Sequence, residues 1–392
     1  MDKDAASTGS LQVEELLSRG VDKIYPSKEA LEEVLKTGKK LKLYQGFDPT
    51  GDKLHVGHMV GLRKLSDWQK LGHHVIFLIG DGTGQAGDPS GKTKSREKFF
   101  TREELRRNAT DYVKQAGKIV NFEGENPVEV LFNGDWLNEL KLSDILEIAG
   151  HFSWQQLAER DLFQERIKSG ESLNLREALY PLLQGYDSVA MDVDLEIGGS
   201  DQTFNMLCGR TLMKVMKGKE KFVMTTPLLA DSSGKKIGKT EGNVIALTDE
   251  SNDLYGKIMS FPDEVIVKCF EVLTRIPMAE VREIEKAISS GDNPMQFKKK
   301  LALQIVCDLN DESSAQKAQE SFEEAFSKGG VPKDIKTVTA EQDEPLVEIL
   351  LKEGLVSSKT EFNRLNKEGA IRELENGVYR VGKHRFLKVE RN

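Results

Sequence analysis

Gly46-Phe47-Asp48-Pro49-Thr50-Gly51-Asp52-Lys53-Leu54-His55-Val56-Gly57-His58 is the stretch on which the reading of this chain turns. It follows a strand-like run, Lys42-Leu43-Tyr44, and opens a helix carrying Leu62 and Leu65. Two histidines three residues apart at a helix N-terminus share one face. Gly57 between them presents no side chain that would block a ligand's approach. Backbone N–H groups and the positive end of the helix dipole point the same way, so the segment suits phosphate.

Outward from this segment, Val75-Ile76-Phe77-Leu78-Ile79 is a continuous apolar run between Gly72 and Gly80, as expected of a buried parallel strand. A glycine-rich turn, residues 80–92, follows it, and Val128–Phe132 is a further short strand ending at Asn133-Gly134-Asp135-Trp136. Leu195-Glu196-Ile197-Gly198-Gly199-Ser200-Asp201-Gln202 reads as strand, tight turn and helix start. Strands alternating with helices predict an α/β chain, a Rossmann-like doubly wound parallel sheet whose ligand lies beyond the strand C-termini.

The expected organisation is an N-terminal helical segment over 1–40, helical from about Val13 to Leu35, and a catalytic domain over 41–250. An α-helical domain follows over 251–328, broken at Pro262 and Gly291. A polar linker spans 329–345, and a small α+β unit closes the chain over 346–392. In that last unit Ser358 and Glu361 form a capping-box pattern, and Asn376-Gly377 marks a hairpin turn.

The chain has 392 residues, 38% hydrophobic and 31% charged, with a net charge of −8. That is ordinary for a globular protein, and no apolar run approaches a membrane span. The first residues lack a signal core or transit pattern, so the expected location is cytoplasmic, with no membrane and no DNA partner. Cys208, Cys269 and Cys307 have no paired spacing, against both a disulfide framework and a cysteine-based metal site. The charge is uneven: residues 346–392 hold ten Lys/Arg and seven Asp/Glu, a basic module on an acidic body, compatible with a local RNA contact.

Two further segments carry chemistry. Asp231-Ser232-Ser233-Gly234-Lys235-Lys236-Ile237-Gly238-Lys239-Thr240 is a Gly/Ser-rich loop bearing three lysines, with the composition of a mobile element. In Tyr180-Pro181-Leu182-Leu183-Gln184-Gly185-Tyr186-Asp187, residues Tyr180, Gln184 and Asp187 stand at i, i+4 and i+7 on one helix face.

The histidine and lysine segments, in this order on an α/β chain, resemble the paired signatures of class I aminoacyl-tRNA synthetases. The usual forms are His-Ile-Gly-His and Lys-Met-Ser-Lys-Ser; here Val56, Ile237, Gly238 and Thr240 replace Ile, Met and the two Ser. Both histidines and the spaced lysines, Lys236 and Lys239, are kept. The Tyr180–Asp187 pattern is similar to one shared by tyrosyl and tryptophanyl members. Tyr44 before Gln45-Gly46-Phe47-Asp48, the Gly198–Gln202 turn and a C-terminal unit resembling an S4 domain favour the bacterial tyrosyl type.

The resemblance implies roles. His55 and His58 contact phosphates and ribose, Thr50 donates to the γ-phosphate, and Lys236 and Lys239 close on departing pyrophosphate. Gly46, Asp48, Gly198 and Asp201 belong to the ATP site, with Asp201 on the ribose and Gly199 also easing the nucleotide's approach. Tyr44 and Asp187 bind the substrate phenol; Tyr180, Gln184 and Asp88 hold its ammonium, with Gln202 helping and Asn133 supporting the floor. Gln45 stands where some relatives have Cys near the ribose, and its contact stays unassigned. Arg364, Lys367, Arg372 and Lys383, with Arg380 and Arg385 nearby, would grip tRNA-Tyr while Asp253–Ser327 reads the anticodon. ATP with Mg2+ enters as substrate, with no protein-bound metal. A homodimer is implied, with about 131–173 near its two-fold axis. Tryptophan activation and a catalytically dead RNA-binding relative remain the alternatives.

Overall fold

The computed structural model describes residues 12–90, 99–158, 161–172, 174–232, 234, 236–240, 243–327, 335–342, 344–374, 377–382 and 385–391. The chain divides into two compact units, Met1–Leu229 with Glu271–Leu273, and Ala230–Phe270 with Thr274–Asn392. The continuous part of the first ends at Leu229, some twenty residues before the catalytic boundary at 250 expected from sequence.

The first unit holds a six-stranded sheet of β1 (Lys23–Tyr25), β2 (Lys42–Phe47), β3 (His74–Ile79), β4 (Glu129–Phe132), β5 (Leu195–Gly199) and β6 (Phe222–Thr226). Its spatial order is β1-β6-β5-β2-β3-β4, parallel throughout except for β1 at one edge. The order reverses between β2 and β5, a topological switch point where α/β sheets open a crevice. Six residue pairs join β2 to β3, but β2 and β5 pair only at Leu43↔Leu195 and Tyr44↔Glu196. The ladder stops there, so the chain ends that carry Gly46-Phe47 and Gly198-Gly199 are not bonded to one another as strands.

Burial explains the strand sequences. Val75, Ile76, Phe77, Leu78 and Ile79 of β3 are all buried, as are Leu43, Leu195, Ile197 and Val223. A strand covered on both faces reads as a continuous apolar run rather than an alternation. Four helices of this unit are α1 (Lys28–Lys36), α2 (Val56–Lys70), α3 (Leu175–Met191) and α4 (Thr203–Lys217), of which the last three carry or support site residues. The expected helix over Val13–Leu35 is a correction: residues 12–16 are helical, β1 intervenes, and α1 starts after the Ser27 N-cap. Three-residue β1 is too short to show periodicity; its place comes from pairing with β6.

In the second unit the described residues of the lysine segment make short β contacts. β7 (Lys239–Thr240) pairs with β8 (Asn243–Val244), and Lys236 bridges Ala230. The helical block comprises Ser251–Met259, Ile266–Leu273 (whose last three residues count with the first unit), Met278–Ser289, Pro294–Leu309 and Glu312–Ser327. Breaks fall at Pro262 and Gly291, the latter at φ +99°, with further ones before Met278 and at Asn310.

A four-stranded sheet lies at the C-terminus, with order β10 (Ile371–Glu373), β11 (Val378–Val381), β12 (Arg385–Arg391) and β9 (Thr337–Ala340). Its core is Ile349, Leu350, Val356, Leu365, Val381, Leu387 and Val389. The stretch read as a linker therefore contains β9, which runs parallel to β12 with Val338 opposite Val389. The Ser358 cap accepts the Glu361 N–H at 3.1 Å, but the Glu361 carboxylate reaches one residue further back, to the Ser357 N–H at 2.7 Å. Asn376 of the expected turn lies outside the described residues; Gly377 has φ +72°. Among the described residues no helix is long and apolar enough to cross a membrane.

Candidate active site

The loop between β2 and α2 is fastened from a distance. Asn108 Nδ2 donates to the Pro49 carbonyl at 2.9 Å and Tyr112 Oη to the Gly51 carbonyl at 2.7 Å. Gln115 donates to the Asp52 carbonyl at 2.8 Å and accepts the Leu54 N–H at 2.7 Å. The Thr50 N–H turns back to the Asp48 carbonyl at 2.8 Å. These five bonds on one loop fix its course to the N-terminus of α2.

There His55 is the N-cap. Its Nδ1 accepts the Gly57 N–H at 3.1 Å, and His58 Nδ1 accepts the His55 N–H at 3.1 Å. The rings stack with centroids 3.8 Å apart and planes 23° apart, and Phe47 packs edge-on against His58. An Nδ1 that accepts carries no hydrogen, so each neutral ring holds its proton on Nε2, an atom that in His55 is buried. A Cβ on Gly57 would fall 2.9 Å from His55 Cε1. The glycine thus makes room for the histidine ring itself, whereas the sequence suggested room for a ligand.

Helix α3 brings the second group together. Asp187 is 1% exposed; its Oδ2 accepts from Asn133 Nδ2 at 2.9 Å and its Oδ1 from Trp136 Nε1 at 2.8 Å. Burial pushes the Asp187 carboxyl well above its ordinary range, against the pull of those two hydrogen bonds. Tyr44 is buried on β2 with its hydroxyl 2.9 Å from Ser188 Oγ. Burial, then the charges of Glu196 and Asp187, raise its hydroxyl well above the usual tyrosine value. Tyr180 donates to Asp48 Oδ2 at 2.9 Å, and burial followed by the charge of Asp48 raises it likewise. Gln184 Nε2 donates to Glu196 Oε1 at 2.9 Å, leaving its buried Oε1 without a hydrogen-bond partner. Gln202 Nε2 donates to Asp88 Oδ2 at 2.9 Å and accepts from Asn205 at 2.8 Å.

Asn133 joins these parts. Its Oδ1 accepts the N–H groups of Gly82 and Thr83 at 2.8 and 3.3 Å, while Nδ2 donates to Thr83 Oγ1 at 2.9 Å as well as to Asp187. Thr83 Oγ1 in turn donates to Asp48 Oδ1 at 2.7 Å. Gly80 leaves space for that carboxylate: a Cβ there would lie 1.9 Å from Asp48 Oδ1.

Of the residues expected from sequence, Tyr44, Gly46, Asp48, Thr50, His55, His58, Asp88, Tyr180, Gln184, Asp187, Gly198, Asp201 and Gln202 all fall in the first unit. Gly46 and Gly198 lie at the C-terminal ends of β2 and β5, on either side of the switch point. At Gly198 and Gly199 a Cβ would first meet Met206 Sδ at 3.0 Å and Asp201 Oδ1 at 2.7 Å, so their nearest neighbours are the protein's own. Gln45 lies over α2, where a Cβ on Gly61 would strike its amide at 2.1 Å.

Lys236 and Lys239 belong to the second unit. In the C-terminal unit Arg364 pairs with Glu368 at 3.3 Å, Lys367 is exposed, and Arg372 donates to the Gly369 carbonyl at 2.9 Å. Lys383 lies outside the described residues. Sequence reasoning gave no role to Thr83, Trp136, Ser188, Glu196 or Lys221. For the last two the available signal was a glutamate within the apolar strand run Leu195–Ile197 and a lysine directly before the strand run at Phe222.

With this geometry in hand, the comparisons are specific. The profile of the family described as tRNA synthetases class I (W and Y) matches residues 36–327. Tyrosine–tRNA ligase 2 of Pseudoalteromonas translucida is 39% identical, over 95% of this chain and 97% of its own length. The tyrosine–tRNA ligase of Mannheimia succiniciproducens is 38% identical, with 95% and 97% covered. Among solved structures, a C-terminally truncated mitochondrial tyrosyl-tRNA synthetase of Coccidioides posadasii superposes with a TM-score of 0.64 at 25% identity, covering 81% of this chain and 96% of that one. The Archaeoglobus fulgidus tyrosyl-tRNA synthetase complexed with L-tyrosine shares the fold, with a TM-score of 0.61 at 20% identity over 79% and 99%.

Proposed function

The chain belongs to the class I tRNA synthetases (W and Y), and on that premise we propose that it activates L-tyrosine with ATP and transfers it to the 3′ end of tRNA-Tyr. The reaction is that of a tyrosine–tRNA ligase. The tyrosine carboxylate attacks the α-phosphate, the bond to the β-phosphate oxygen breaks, and pyrophosphate leaves. A terminal ribose hydroxyl of the tRNA then attacks the adenylate carbonyl and AMP departs. The attacking carboxylate is already ionised, so the protein's task is to align reactants and stabilise developing phosphate charge.

In this reading His55 and His58 donate from Nε2 to phosphate oxygens, at a helix N-terminus that itself favours anions. Thr50 donates to the γ-phosphate, Asp201 takes the ribose, and Gly46, Asp48 and Gly198 shape the nucleotide floor. Lys236 and Lys239 act on the departing pyrophosphate, which travels with Mg2+. Tyr44 and Asp187 receive the phenol; Tyr180, Gln184, Asp88 and Gln202 surround the ammonium.

The observation that carries the choice of tyrosine is the buried Asp187 carboxylate, held by Asn133 and Trp136 close to Tyr44. A phenol meets these groups with a hydroxyl; a phenyl ring leaves buried polar atoms unpaired, which is unfavourable. ATP–pyrophosphate exchange tested with each of the twenty amino acids decides the matter. Stimulation by tyrosine is expected, and stimulation by tryptophan but not tyrosine overturns the reading.

Exposed Leu142, Leu146, Trp154, Ile167 and Leu175 support a homodimer through this region, since large apolar side chains in water mark contact surfaces. The basic C-terminal unit, with Arg364, Lys367 and Arg372, supports a tRNA contact there, and Asp253–Ser327 reads the anticodon in the same scheme. The setting is the cytoplasm, where these substrates meet.

A further inference from the structure

Beneath the pocket lies a buried ion pair to which the reaction as described gives no part. Glu196 stands directly opposite Tyr44 in the last residue pair joining β2 to β5. Lys221 precedes β6, and the two side chains are 2% and 0% exposed. The Lys221 ammonium bonds to Glu196 Oε2, to Ser188 Oγ at 2.7 Å and to the Met206 carbonyl at 3.3 Å. Its three donors are thereby all used, and it lies 5.8 Å from the centre of the Tyr44 ring. Gly209 on α4 leaves the passage open: a Cβ there would sit 2.5 Å from Lys221 Nζ and 2.8 Å from Ser188 Oγ.

The Glu196 end of this pair bonds to a residue of the pocket, and the Lys221 end reaches another through Ser188. On one side Glu196 Oε1 accepts from Gln184 Nε2 at 2.9 Å. A carboxylate accepts only, so the Gln184 amide is locked with its nitrogen toward Glu196, and its buried Oε1, which has no hydrogen-bond partner among the described residues, is left as an acceptor suited to an ammonium. On the other side Lys221 can only donate, so Ser188 Oγ accepts from it and uses its remaining capacity on the Tyr44 hydroxyl at 2.9 Å.

We propose that Glu196 and Lys221 are positioning residues of the tyrosine pocket, whose ion pair sets the polarity of the Gln184 amide through Glu196 and anchors Ser188 beside the Tyr44 hydroxyl. The proposal rests on the tyrosine reading above and deepens it. Burial pulls the Lys221 ammonium below the usual lysine range, with Glu196 opposing, so neither member suits that site without the other.

The test uses the full-length protein, with Glu196→Gln, the double variant Glu196→Gln/Lys221→Met, and Ser188→Ala. Stability is followed by thermal unfolding, and tyrosine-dependent ATP–pyrophosphate exchange yields KM for each substrate. Glu196→Gln supplies an amide that can donate to Gln184 Oε1 and turn it over. KM for tyrosine is expected to rise by about tenfold or more, with KM for ATP within about twofold. The double variant removes the stranded lysine, so its melting temperature recovers while KM for tyrosine stays high. A merely structural pair would let both recover together, and that result overturns the proposal. Ser188→Ala preserves the ion pair and is expected to erode the preference for tyrosine over phenylalanine; an unchanged preference in the folded variant removes the Tyr44 branch. Wild-type protein that ignores tyrosine strikes the functional reading instead, a result separable from normal wild-type exchange with unaltered variants.

Discussion

Replacing Gly57 by alanine adds one methyl group at a place where stability and activity should respond in opposite measure. The new Cβ would lie 2.9 Å from His55 Cε1 and 3.0 Å from Nδ1, closer than such contacts are found. No strained backbone stands in the way, since Gly57 is an ordinary helical residue two positions after the cap. The His55 ring must therefore swing away, giving up the cap bond from the Gly57 N–H and the 3.8 Å stack on His58. Loss of the cap costs about 1 kcal/mol, and the stack about 0.5–1 kcal/mol. Alanine in place of glycine returns up to about 1 kcal/mol of helix propensity. The net change is within about 1 kcal/mol, a few degrees of melting temperature at most. Catalysis has no such offset. A displacement of about 1 Å in a phosphate-binding group costs roughly a hundredfold in rate. Urea unfolding and ATP–pyrophosphate exchange on the same preparation separate the two effects. Exchange within threefold of wild type at unchanged stability would refute the placement of His55, as would a loss of activity wholly explained by unfolded protein.

Asn133→Ala strands the Gly82 and Thr83 N–H groups and one oxygen of Asp187; a loss of about 2–3 kcal/mol in urea unfolding and a raised KM for tyrosine are expected. His73 is buried with Nδ1 accepting the Leu41 N–H at 3.0 Å, and burial lowers its pKa from 6.5 to about 4. The unfolded state takes up the proton first, so the stabilisation is complete above pH 6.5 and is lost as pH falls through 4. Urea unfolding at pH 7 and 4.5 should differ by roughly 1–2 kcal/mol more in wild type than in His73→Asn, after allowance for screening. Leu142→Glu with Leu146→Glu places charges on exposed apolar positions; sedimentation should show dimer giving way to monomer, and a dimer of undiminished affinity would send the interface elsewhere.

The parts of the fold that sequence revealed are those with local causes. Val75–Ile79 is apolar because β3 is covered, and the histidine helix announces itself through its own cap. Tyr180, Gln184 and Asp187 could be grouped because helical spacing alone puts them on one face of α3. What stayed hidden depends on partners distant in sequence. β1 exists because β6 accepts it, and β9 because β12 does; neither is long enough to carry a pattern. Nothing near Pro49 or Gly51 shows that Asn108 and Tyr112 hold that loop, about sixty residues on. Trp136 reads as part of a turn until Asp187 arrives beside its indole nitrogen. Lys221 and Glu196 look like surface charges in one dimension and are enclosed in three.

The hydrogen bonds also bear on how two substrates are made to react at one place. Asp48, at the end of β2, accepts from Tyr180 on one oxygen and from Thr83 on the other. Thr83 accepts from Asn133, and Asn133 donates to Asp187. The carboxylates of Asp48 and Asp187 are thus separated by three hydrogen bonds, each between side chains. Every donor in that series has its direction fixed: the Asn133 amide by the Gly82 and Thr83 N–H groups, and the Thr83 hydroxyl by the Asn133 donor. A chain of this kind cannot shift at one end without breaking a bond or turning an amide, and in a buried setting either is costly. It therefore fixes the separation of Asp48 and Asp187, and under the proposed function it sets the two half-sites at one distance before either ligand arrives, as attack by a weakly nucleophilic carboxylate requires.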